Sequence, residues 1–188
     1  MVTYKQFWEL EKRLVKEGYA QELTWALDLK LCDNPVIFFW EYTWVVINSG
    51  MKNQVAEKIH REVQMAVIEG MPVSRAFNNK KKVEAIDRMR VLLRSTFDEF
   101  QGCEDDEQRL AMLNQLPFIG PITKYHLAKN LGMTSICKPD RHLQRLAQKH
   151  GEGTTPQKMC EQLADCDPRI TVAYVDQVLW RAANLGYI

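Results

Sequence analysis

Between Gln108 and Gly151 the sequence sets seven lysines and arginines (Arg109, Lys124, Lys129, Lys138, Arg141, Arg145 and Lys149) around a single carboxylate, Asp140. A positioned carboxylate can stabilise a developing cation, orient a water molecule or take a proton. Isolated among bases, it suits an enzyme whose substrate is a polyanion. The plainer role for such a residue is a helix N-cap. Twenty residues earlier lies a second device, Leu116-Pro117-Phe118-Ile119-Gly120, between two helical stretches. Pro117 ends the first of these, and Gly120 is expected to adopt a backbone conformation closed to other residues. The helix that follows, with Thr123 and Lys124 near its start, offers unpaired N–H groups to a phosphate. An ordinary turn between two packed helices is the plainer reading of that motif.

The elements that carry these residues read at helical period almost throughout, and no segment alternates as a strand does. Phe7, Leu10 and Leu14, then Leu23, Leu27 and Leu31, predict two amphipathic helices joined through Gly18. Asp33-Asn34-Pro35 is a start signal for a third, Val36–Asn48, which is apolar nearly all round and is expected at the centre of a core. Further helices are expected over 52–68, 80–100 and 105–116. Others start at Asp140, Thr155-Pro156 and Asp167-Pro168, the last running to Asn184-Leu185-Gly186. The fold class is therefore all-α. No linker is evident, and two lobes would be joined near Asp33 and Lys138, one spanning 34–137 with the hairpin at 113–131, the other 1–33 plus 138–188.

The chain has 188 residues, 46% of them apolar, enough for one sound core or two small ones. A net charge of +1 says nothing about nucleic acid, so only the local clustering of bases speaks to it. The start, MVTYKQFWELEKRL, is charged and amphipathic rather than a signal peptide. Asn34–Gly50 is too short, and too interrupted by Glu41 and Asn48, for a membrane span of about 18 residues. Both features favour a cytoplasmic protein with no membrane partner, associated with the nucleoid in a prokaryotic or viral setting. Five cysteines without a C-x-x-C pair argue for reduced thiols over an iron–sulfur or metal site.

Together, L-P-x-x-G at 116–120 and D-x-H-x-x-R at 140–145 resemble the helix-hairpin-helix (HhH-GPD) DNA glycosylase superfamily over about thirty residues. The likeness extends more weakly to WVVINSGM at 44–51, NNKKKVEAI at 78–86 and YVDQVLWRAANLG near the C-terminus. It implies a two-lobed helical fold with the hairpin and the catalytic Asp at the interlobe cleft. It further implies excision of a damaged or modified base from double-stranded DNA by a monomer without an obligatory cofactor. Asp140 would stabilise the oxocarbenium-like sugar and orient water, and His142 would support its loop. Pro117, Ile119, Gly120, Thr123, Lys124, Lys138 and Arg145 would contact the DNA backbone. A monovalent cation, Na+ or K+, would bind the carbonyls of Leu116 and Ile119, with no other metal.

Family members that also nick the strand carry a Schiff-base lysine two residues after the hairpin glycine, where this chain has Ile122. Lys124 is two residues further on, turned by about 200° along a helix. The resemblance therefore implies a monofunctional, hydrolytic enzyme. A glycosylase/AP lyase using Lys124, and a non-catalytic helix-hairpin-helix DNA-binding module, are the alternatives. Glu41, Trp44, Asn48 and Trp180 are candidates for the base pocket, with Asp176 beside Trp180 on the same helix. Met51 is the candidate wedge for the gap a flipped base leaves. An aromatic stripe such as Phe38–Trp44 is more often core than pocket.

Overall fold

The computed structural model describes residues 2–188, and among these every regular element is a helix. The elements are α1 (Tyr4–Leu14), a π-helical turn (Val15–Tyr19), α2 (Ala20–Leu27), α3 (Pro35–Asn48), α4 (Asn53–Ile68), a 3-10 turn (Val73–Arg75) and α5 (Lys80–Gly102). They continue with α6 (Asp106–Leu113), α7 (Thr123–Asn130), α8 (Arg141–His150), α9 (Pro156–Ala164) and α10 (Val172–Asn184). No helix is long and apolar enough to cross a membrane among the described residues. The chain forms two compact units, a continuous one, Cys32–Leu131, and a split one made of the residues up to Leu31 with Gly132–Ile188.

In the continuous unit α3 packs on α4, α5 and α7. Asn34 caps α3 by accepting the amide of Val36 at 2.8 Å, and Pro35 takes the first helical position, where no N–H is needed. Phe38, Phe39, Tyr42, Val45, Val46 and Ile47 are buried, and Phe38 packs on Phe97 and Phe100 of α5 with ring centroids 5.9 and 5.3 Å apart. The helix is not enclosed on every side, because Val36 and Ile37 stay more than half exposed. Asn79 caps α5 and Asp105 caps α6 through side-chain bonds to Lys82 N and Gln108 N.

In the split unit α10 is the hub, packing on α1, α2, α8 and α9. Ala173–Leu179 are all buried, and with Phe7, Leu14, Leu143, Leu146, Met159 and Leu163 they build the core. α10 starts at Val172 with Thr171 as its cap, not at Asp167-Pro168. The Asp167 carboxylate is taken by the amide and guanidinium of Arg169 and by the Tyr4 hydroxyl, which makes a turn of the segment. The unit boundary falls after Leu131 rather than after 137, since the Thr134 carbonyl accepts the Ala173 amide and Cys137 joins the split unit's core.

Gly132 fixes that second crossing. It has φ +82°, and a Cβ there would lie 1.9 Å from the Lys30 carbonyl oxygen, a backbone atom that cannot turn aside. Gly18, at φ +95°, has nothing within 4 Å of its Cβ position. Gly132→Ala is expected to cost about 2–4 kcal/mol in urea unfolding. Gly18→Ala should cost only the left-handed strain, about 1–2 kcal/mol. Equal losses would show that the contact with Lys30 is not limiting.

Candidate functional site

The hairpin of the continuous unit is built from backbone bonds and one buried hydroxyl. After α6 the amide of Leu116 bonds to the Leu113 carbonyl (3.2 Å), and the amide of Ile119 to the Leu116 carbonyl (3.1 Å). Leu116 and Ile119 point into the core. Tyr42, wholly buried on α3, donates its hydroxyl to the Pro117 carbonyl at 2.6 Å, with the Ala85 carbonyl further off at 3.3 Å. Burial pushes the Tyr42 phenol well above its usual range, so it remains a donor.

The left-handed residue of the hairpin is Phe118, at φ +64°, and not Gly120. Phe118 is the one non-glycine with positive φ among the described residues, and the residue is 40% exposed. That conformation costs a residue with a Cβ about 1–2 kcal/mol. Gly120 has no such need, and a Cβ on it would only make ordinary contact with Thr123 Oγ1 at 3.9 Å. Nothing inside the protein requires a glycine here, whereas a group approaching from outside would. The amide of Gly120 donates to Thr123 Oγ1 (2.7 Å), and its carbonyl accepts from the amide of Lys124 (3.0 Å).

α7 then begins at Thr123 with no side-chain cap, Ile122 occupying the cap position 41% exposed. The amides of Lys124 and Tyr125 bond to the Gly120 and Ile122 carbonyls, while those of Ile122 and Thr123 make no hydrogen bond among the described residues, and open amides at a helix start attract an anion. Lys124 is partly buried, its ammonium 5.1 Å from the centroid of the Tyr125 ring.

Asp140 caps α8 in the split unit. Its Oδ1 accepts the amides of His142 (2.9 Å) and Leu143 (3.2 Å), while Oδ2 has no hydrogen-bond partner among the described residues. The capping role and a chemical role are thus compatible, one oxygen for each. The loop before it is fastened from three helices. Asp176, 1% exposed on α10, accepts the amide of Lys138 at 2.8 Å. Gln157 of α9 accepts the Cys137 amide (2.8 Å) and donates to the Ser135 carbonyl (2.7 Å), and Gln144 of α8 donates to the Pro139 carbonyl (2.9 Å). Asp176 is therefore a tether of this loop. Arg141 and Arg145 are exposed, and Lys138 is half-buried.

Glu41, Trp44 and Asn48 share one side of α3, about 60° wide by helical spacing. Glu41 accepts from the amide nitrogen of Asn130 at 2.8 Å, so it has an internal partner, and burial raises its pKa. Trp44 and Trp40 both meet the His60 ring edge to face, at 5.6 and 6.2 Å. Asn48 and Met51 close one turn, the Met51 amide bonding to the Asn48 carbonyl (3.0 Å), with Gly50 between them at φ +71°. Trp180 belongs to the split unit, with the Arg181 guanidinium 4.8 Å from its ring.

Lys82 lies within NNKKKVEAI, at the first turn of α5. It is 4% exposed and donates to the carbonyls of Ser49 (2.6 Å) and Ile47 (2.9 Å), which are left over at the end of α3. Its ammonium also lies 5.5 Å from the Phe118 ring, and burial lowers its pKa. The signal for it was positional, since Lys82 falls on the same face of α5 as the buried Ile86 and Met89.

No protein-family model matches the chain, and no curated protein matches it. Among solved structures it is similar to the Methanocaldococcus jannaschii 8-oxoguanine glycosylase/lyase in complex with a 15mer DNA containing 8-oxoguanine. The TM-score is 0.62 and the identity 14%, over 100% of both chains. At that identity the likeness is one of fold, and it bears out an all-helical architecture of this type along the whole chain.

Burial favours the protonated form of Glu41 in the folded chain. Its stabilising effect is complete below the unfolded value and is lost as pH rises through the folded one. Glu41→Gln keeps an acceptor for Asn130 and removes the buried charge. Its Tm at pH 7 is expected to exceed that of the wild type, with the difference closing near pH 4, about the unfolded glutamate value. A variant that melts lower at pH 7 would mean that the charge itself stabilises the fold.

Proposed function

We propose that the chain is a DNA glycosylase that hydrolyses the N-glycosidic bond of a flipped-out damaged or modified base in double-stranded DNA. It would act as a monomer and without a lyase step. The observation that carries this reading is Asp140, whose Oδ1 is spent on its own helix while Oδ2 makes no bond within the described residues, among Lys138, Arg141 and Arg145. The uncapped start of α7, and a glycine at 120 that the protein itself does not require, support a phosphate at the hairpin. The relative described above has this fold and binds DNA containing a modified base, which supports DNA as the partner.

In the mechanism the hairpin grips the backbone through the amides of Ile122 and Thr123 at the start of α7, with Lys124, Lys138 and Arg145 neutralising phosphates. Departure of the base leaves positive charge on the sugar. Oδ2 of Asp140 faces that charge, stabilises it and orients the water that completes hydrolysis. Asp176, Gln157 and Gln144 keep the loop still while this happens, so that little reorganisation is needed. A monovalent cation fits the hairpin carbonyls, because that of Ile119 accepts no hydrogen bond among the described residues and that of Leu116 keeps a lone pair. Bound there, Na+ or K+ would add positive charge opposite a phosphate.

Ile122, where the lyases of the resembled family have their amine, carries an alkyl group that cannot form an imine. The Lys124 ammonium is turned to Tyr125. Water is therefore the nucleophile in this reading.

Asp140→Asn is expected to reduce base release from modified duplexes by a factor of about 100 or more, while DNA binding changes little. Base release at the wild-type rate would sink the assignment. Borohydride should trap no covalent complex with the wild type. A trapped complex lost in Lys124→Ala would establish the lyase reading, and no release from any modified duplex would leave a DNA-binding module.

A further inference from the structure

Phe118 is an unusual residue for its position. It alone of the non-glycine residues described has a left-handed φ, and it leaves a large apolar side chain 40% exposed. A glycine would hold the same turn without strain. Strain retained beside an exposed ring calls for a use of that ring.

The ring is also held in place. The ammonium of Lys82 lies 5.5 Å from its centroid, and the same ammonium donates to the carbonyls of Ile47 and Ser49, at the root of the turn carrying Met51. One buried cation therefore meets both the ring on the hairpin and the backbone at the root of the turn after α3, whose Met51 is partly buried. The carbonyls hold Lys82 from one side and the aromatic face attracts it from another. The Tyr42 hydroxyl pins the adjacent Pro117 carbonyl, so the base of the hairpin cannot yield when the ring is pushed.

We infer that Phe118 is a second apolar prong beside Met51, held by Lys82, that enters the base stack of duplex DNA and occupies the space opened when a nucleotide leaves it. The inference rests on the DNA-acting reading above. It adds a residue whose role lies in opening the duplex rather than in breaking a bond. Apolar side chains pressed between base steps unstack them, and an aromatic ring compensates part of the lost stacking with its own face. Two prongs on separate turns, sharing one buried cation, would enter together.

The test uses the full-length protein and a short duplex with a tetrahydrofuran abasic-site analogue and 2-aminopurine as the adjoining base. Wild-type protein is expected to raise the 2-aminopurine fluorescence on binding, because the base is unstacked. Phe118→Gly is expected to fold with a Tm close to that of the wild type, since relief of the left-handed strain offsets the lost contact with Lys82. It should bind this duplex about tenfold more weakly, as expected for the loss of one stacked contact, and give little or no fluorescence rise. A rise in Phe118→Gly equal to that of the wild type would overturn the inference, as would its loss in Met51→Gly alone. The fluorescence needs no bond cleavage, so its failure is distinguishable from failure of the glycosylase reading, which Asp140→Asn reports separately.

Discussion

The polar atoms of α3 govern how the continuous unit is put together. This helix carries so much apolar surface that it must sit in a core, and each buried polar group left without a partner there would cost about 1–3 kcal/mol. Its Tyr42 hydroxyl finds the Pro117 carbonyl, and its last carbonyls find Lys82. Both solutions reach out of the core to surface segments, the hairpin and the turn at Asn48–Met51. The demand for hydrogen-bond satisfaction thus becomes a positioning device, and the geometry of the exposed turns is set from inside.

The split unit meets the same demand in a different way. There a loop, Ser135–Pro139, turns its amides and carbonyls toward buried side chains of α8, α9 and α10. Asp176 is the extreme case, a carboxylate at 1% exposure whose acceptor capacity goes partly to one loop amide. The loop delivers Asp140 to the start of α8 with one oxygen committed to helix amides. A carboxylate fixed in this manner has given up its rotational freedom during folding.

Much of the helical frame was legible because cap signals are local. Asn34-Pro35 and Thr155-Pro156 mark helix starts through a side chain and a fixed φ that need no tertiary partner. Asp167-Pro168 carries the same signal and starts no helix, because Arg169 and Tyr4 claim the carboxylate first. The hairpin was legible as a turn, but the residue bearing its left-handed conformation was not. Glycine at 120 is the natural choice by propensity, yet the pinned Pro117 carbonyl is followed by the reversal at Phe118. Glu41 was recognisable as a buried acid needing a partner, and its partner proved to be Asn130, 89 positions along the chain.

Residue types and spacing by themselves determined that the protein is helical, where most helices begin, and that an acid at 140 stands among bases twenty residues past a hairpin glycine. These are properties of neighbours in the chain, written in periodicity, caps and charge. Only the tertiary structure decided which polar groups satisfy one another: Tyr42 with Pro117, Lys82 with Ser49 and Asp176 with Lys138. Those pairs lie between 33 and 75 residues apart, and their cost or benefit exists only once water has been excluded around them. Burial is decided by packing, and so, therefore, is the meaning of each buried polar residue.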